Sequence, residues 1–112
     1  MSNRCKYEIP LYRGSLLVIH TEDLKSIEAE FDLEDTTEMD GFVFEQKDRN
    51  ENPLYVVVFK GKPSPGVIAH ESLHIVSAIY RDVHADFCLH NEEPQCYLLE
   101  WIVDQIHKTI KK

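Results

Sequence analysis

No lysine or arginine occurs between Ser26 and Gln46, although that stretch holds eight carboxylates: Glu28, Glu30, Asp32, Glu34, Asp35, Glu38, Asp40 and Glu45. Outside it the chain is balanced, with twelve basic residues against twelve acidic ones, so the net charge of −8 belongs to this one segment. A chain short of positive charge is poorly made for neutralising phosphates or sitting on anionic lipid, so neither nucleic acid nor membrane is an expected partner. Long apolar runs are missing as well. None approaches the roughly 20 residues needed to cross a bilayer. The opening residues, Met1 to Lys6, lead into an alternating polar segment rather than the apolar centre of a secretory signal. Cysteine is scarce and odd in number: Cys5, Cys88 and Cys96 at wide spacing fit a reducing compartment rather than a disulfide framework. A soluble cytoplasmic protein is the expectation. No repeat or low-complexity linker interrupts the 112 residues, a length that suits one domain over 1–112.

The apolar pattern divides into strands and then helices. Tyr7, Ile9 and Leu11 alternate with polar neighbours, and after Arg13-Gly14 comes the apolar run Leu16 to Ile19, together a hairpin. Thr21 is placed to cap a short helix carrying Leu24, Ile27 and Phe31 at helical spacing. Gly41 to Gln46 and Leu54 to Lys60 form a second hairpin, and its latter strand, with Tyr55 to Phe59, reads as buried. Ser64 caps a longer helix with Pro65 at its first position and apolar residues on more than one face. A last helix starts near Asn91, has Glu92, Glu93 and Pro94 in its first turn, and turns Cys96, Leu99, Ile102, Val103, Ile106 and Ile110 inward. The order β-β-α-β-β-α-α predicts an α+β fold in which an antiparallel sheet of about four strands packs against helices.

On the longer helix the chain reads His70-Glu71-Ser72-Leu73-His74. Residues four apart lie one turn above each other, so both imidazoles can reach one metal ion while Glu71 leans beside it. Zinc takes a third protein ligand and keeps a fourth position open for water, whose pKa can fall to about 7. Glu71 is the base expected to take that proton.

After eighteen intervening residues, His74 is followed by Glu93, within Asn91-Glu92-Glu93-Pro94-Gln95-Cys96-Tyr97. With the motif before it, this resembles the gluzincin clan of zinc metallopeptidases. More narrowly it is similar to the very small H-E-x-x-H proteins of phages and their bacterial hosts. The likeness covers roughly Ser64 to Asp104. It implies a small zincin-like domain, an H-E-x-x-H helix beside a C-terminal ligand helix, and Zn2+ held by His70, His74 and Glu93 with Glu71 as the catalytic base. In that family a small residue stands three after the ligand Glu. Glu93 with Cys96 fits, while Glu92, followed by Gln95, remains the competitor. The metzincin pattern is excluded, since it needs Gly and His where Ser77 and Tyr80 stand. At the family's Asp position, four after the ligand, this chain has Tyr97, whose phenol can make a similar bond.

The implied activity is hydrolysis of peptide bonds in a peptide or protein substrate, with Leu54 to Lys60 guiding an extended chain by edge pairing. The alternative is a zincin-fold binding or accessory protein with little or no catalysis, in the phage setting the resemblance implies. Tyr80, His84, His90 and Tyr97 are candidates for stabilising an oxyanion. The loop with His84, Asp86, Cys88 and His90 has no standard metal spacing and reads as a polar connection. Cys96 reads as a small core residue, and Tyr97 and Trp101 as packing of the last helix. His20 and His107 carry no assigned role. The acidic stretch is a solvated face, or else a flap over the groove that favours basic peptides.

Overall fold

A computed structural model describes residues 2–36 and 39–111. The chain forms β1 (Asn3–Glu8), β2 (Ser15–Thr21), α1 (Leu24–Phe31), β3 (Gly41–Lys47), β4 (Pro53–Lys60), α2 (Pro65–Asp82) and α3 (Glu93–Ile110). The expected order of elements holds. The sheet has the order β1-β2-β4-β3, and each hairpin is antiparallel, but β2 runs parallel to β4 with Val18 opposite Val57. The expectation of an antiparallel sheet is therefore corrected to a mixed one.

The reason lies in the two most apolar strands. In β4, alternate side chains point to opposite faces, so Tyr55, Val57 and Phe59 join one core while Val56 and Val58 join another. All five are buried. Leu16 and Val18 of β2 go with the first core and Ile19 with the second. Strands apolar on both faces belong in the middle of a sheet covered on both sides. Pairing β2 with β4 satisfies both and leaves the less apolar β1 and β3 at the edges. Leu24 and Ile27 of α1 cover one face, and α2 with α3 cover the other.

Caps fix the helix starts. The Asp23 carboxylate accepts from Ser26 N at 3.1 Å, so the cap of α1 is Asp23 rather than Thr21, whose hydroxyl instead accepts from Asp23 N at 3.0 Å. Ser64 Oγ accepts from Val67 N at 3.2 Å and Pro65 opens α2, as expected. On α3 the buried positions are Leu98, Ile102, Gln105, Ile106 and Thr109. Cys96 precedes Leu98 by two residues, about 200° around the helix. It therefore faces solvent, not the core as expected. Tyr97 is likewise 65% exposed rather than packed. Far along α3, Thr109 Oγ1 lies 2.9 Å from the Tyr7 hydroxyl, tying the helix to β1. Among the described residues no helix is long and apolar enough to cross a membrane.

Candidate metal centre

α2 buries Ile68, Glu71, Ser72, Ile75, Val76, Ala78, Ile79 and Tyr80. The positions left outside form a stripe containing His70, Leu73 and His74, which are exposed. The Nε2 atoms of His70 and His74 are 3.2 Å apart, and their rings meet edge to face at 4.8 Å between centroids. Two nitrogens bound tetrahedrally at about 2.0–2.1 Å from one zinc would stand about 3.3 Å apart. The pair fits that requirement as it stands.

Glu71 has the opposite environment. Only 8% of it is exposed, and its Oε2 is 4.0 Å from His70 Nε2. Burial pushes its carboxyl pKa up, opposed by the fields of His70 and His74. A carboxylate held in this way is a better proton acceptor than one in water.

Glu71 lines two adjoining hollows between α2 and the sheet edge. One also has Asp40, Gly41, Ser64 and His70 on its walls, and the other has Met39, Phe42, Phe44, His74 and Ser77. The wall opposite α2 is β3, which pairs with β4 on one side only. This corrects the expectation for Leu54 to Lys60. That strand lies between β2 and β3, with both edges used, and the strand with an open edge beside Glu71 is β3. An apolar run such as Tyr55 to Phe59 signals a central strand, and that was the available clue.

Arg81 on α2 reaches Glu45 on β3 at 3.1 Å, and the Tyr55 hydroxyl donates to Asp82 at 2.6 Å. Burial first, then Asp82, pushes the Glu45 carboxyl up, while Arg81 pulls it down. The acidic segment is partly tied into the fold. Glu28 accepts from Thr36 N at 2.6 Å and from Thr36 Oγ1 at 2.9 Å, and Glu30 makes a two-pronged pair with Arg4 at 2.8 Å. Of the segment's carboxylates Asp40 and Glu45 line the groove walls, with Met39 beside them, a placement no spacing rule revealed. Glu38 lies outside the described residues.

The structure brings His70, Glu71 and His74 together. Glu93, first residue of α3, lines a different cavity with Pro10, Leu11, Tyr12, Tyr97 and Trp101, and none of the three motif residues lines it. Glu92 is exposed at the cap position and makes no capping bond with its side chain. Among the described residues, no three His, Cys, Asp or Glu side chains are grouped so as to hold a metal ion. His84, Asp86, Cys88 and His90 are all exposed in the connection between α2 and α3. Tyr80 is buried, its ring 6.3 Å from Tyr12, and burial together with a hydrogen bond to Tyr12 pushes its phenol up. His20 Nε2 donates to the Gly61 carbonyl, and His107 is exposed near the end of α3. Compared with known family models, curated proteins and solved structures, the chain finds no match in any of the three.

Proposed function

We propose that this chain is a zinc-dependent metallopeptidase of gluzincin-like type on a small zincin-like domain. The observation that carries the reading is the 3.2 Å approach of the His70 and His74 Nε2 atoms beside a buried carboxylate, Glu71. In this reading His70 and His74 hold the metal, and Glu93 is the third ligand on the strength of the resemblance alone. Bound zinc would supply Lewis acidity, polarising the scissile carbonyl and acidifying the attacking water. Glu71 would take a proton from the attacking water as its oxygen bonds to the carbonyl carbon, and would pass that proton to the amide nitrogen as the C–N bond breaks. The open edge of β3 offers main-chain donors and acceptors to an extended peptide laid between it and α2. Val43 on β3, with Met39 before it and Ala78 on α2, gives the neighbouring wall an apolar character that suits peptide side chains.

The test pairs metal analysis with turnover. Protein purified without chelators or a metal-binding tag should carry about one equivalent of zinc and cleave peptides, and Glu71→Gln should keep the zinc while losing activity by about 10²–10⁴-fold. Failure to hold or take up zinc overturns the reading. Zinc without cleavage in either form leaves the binding-module alternative in its place.

A further inference from the structure

On α3, Glu93, Tyr97 and Trp101 follow one another at intervals of four, a single stripe along the helix. The stripe faces the turn between β1 and β2, where Pro10, Leu11 and Tyr12 form the opposite wall of a cavity of about 420 Å³. That size lies within the range of small-molecule sites. The walls carry three aromatic side chains, Tyr12, Tyr97 and Trp101, and one ionisable carboxylate, Glu93, with no lysine, arginine or histidine among them.

The parts are held in place from both sides. The Tyr12 ring packs on Tyr80, and Tyr80 packs edge-on against Phe87 at 5.2 Å. Across the cavity, Leu98 and Ile102 anchor α3 in the core. The turn itself is closed by Ile9 N donating to the Gly14 carbonyl at 3.2 Å. Leu11 sits there at φ 67°, fully exposed. A left-handed backbone costs a non-glycine residue roughly 1–2 kcal/mol. Hydrophobic burial within this chain does not offset that cost, because the side chain touches water. Tyr97, an aromatic residue left 65% exposed on the same rim, has the same character.

We propose that this cavity binds a small molecule bearing an alkylated ammonium group. Aromatic faces attract a cation through their quadrupole, and an alkylated ammonium gives up little hydration on entering an apolar site. Glu93 supplies the compensating charge. An anion would meet Glu93 repulsively, and a neutral polar molecule would find few hydrogen-bonding partners besides Asn91 and the phenols. The cavity is lined by none of His70, Glu71 and His74, but its carboxylate, Glu93, is the residue that the hydrolase reading gives to zinc, so the two readings compete for it.

The chain has one tryptophan, Trp101, and it lines the cavity, so its fluorescence reports occupancy directly. The full chain is titrated with choline and with its neutral carbon analogue, 3,3-dimethylbutan-1-ol. The expected result is a saturable change in Trp101 emission with choline, and binding of the neutral analogue weaker by about tenfold or more. Glu93→Gln and Tyr97→Ala should each weaken choline binding by a similar factor. Circular dichroism of both variants confirms that the fold persists. Equal binding of the analogue, no saturable change with choline up to tens of millimolar, or folded variants that bind as well as the parent would each overturn the proposal.

Discussion

His70 and His74 present their Nε2 atoms 3.2 Å apart from the open side of α2, while Glu71, between them in sequence, is 8% exposed. Helical rotation of about 100° per residue produces this division. It puts two imidazole nitrogens in solvent reach and a carboxylate under the sheet edge. The two environments make opposite demands on mutation.

Because His70 and His74 are exposed, replacing either with alanine should alter metal-free stability by no more than about 0.5 kcal/mol. The same changes should cost zinc affinity by at least about tenfold. Chemical denaturation in chelator, beside zinc titration of each variant, separates the two effects. A large loss of stability without zinc would mean that the pair is structural.

Gly41, the first residue of β3, lies against Phe59 of β4 and Val67 of α2. A Cβ placed there would lie 3.0 Å from Phe59 Cδ1 and 3.3 Å from Val67 Cγ1, both tighter than ordinary contact. Gly41→Ala should therefore destabilise the protein by about 1–3 kcal/mol, the usual range for overpacking. Urea denaturation measures it, and an unchanged midpoint would show that β3 can move away from Phe59.

An extended peptide held by β3 relies on its own amides. Methylating two alternate backbone nitrogens of a cleaved peptide keeps the side chains and removes two donors, each worth about 0.5–1.5 kcal/mol. KM should rise by about tenfold with the sequence otherwise unchanged. If methylation at every register leaves KM unchanged, pairing with β3 does not hold the substrate.

Glu28 anchors the acidic segment that leads to the groove. Its carboxyl pKa is lowered from 4.5, first by the Thr36 amide and then by the Thr36 hydroxyl. For a lowered carboxyl, the stabilisation is complete above the unfolded value and disappears as pH falls through the folded value. Protection of the Thr36 amide from hydrogen exchange, corrected for intrinsic rate, should be full near neutrality and lost only as the pH falls below the ordinary glutamate range, through the lowered folded value. Glu28→Gln should weaken it at neutral pH and flatten the pH dependence.

Glu93 cannot serve the aromatic cavity and the zinc at once. If both readings hold, saturating zinc should weaken choline binding by about tenfold, and choline should weaken zinc binding by the same factor. Trp101 fluorescence titrated with and without zinc reads this coupling. Choline affinity that is indifferent to bound zinc would remove Glu93 from the ligand set.

Much of this was written locally. The helix cap at Ser64 followed by Pro65, the order of seven elements and the i, i+4 spacing of His70 and His74 all follow from rules acting within a few residues, and the sequence alone determined them. Net negative charge confined to Ser26 to Gln46 is equally a property of sequence. Tertiary structure decided what depends on pairing between distant segments. The parallel partnership of β2 and β4 arises because both strands are apolar on two faces, and it makes β3, rather than Leu54 to Lys60, the open edge beside Glu71. The rotation of α3 was decided in the same way. Leu98, Ile102 and Ile106 found the core, which turned Cys96 and Tyr97 outward and set Glu93 against Tyr12 and Trp101. A helix with apolar residues on several sides can bury more than one stripe, and only the shape of the surface it meets selects among them.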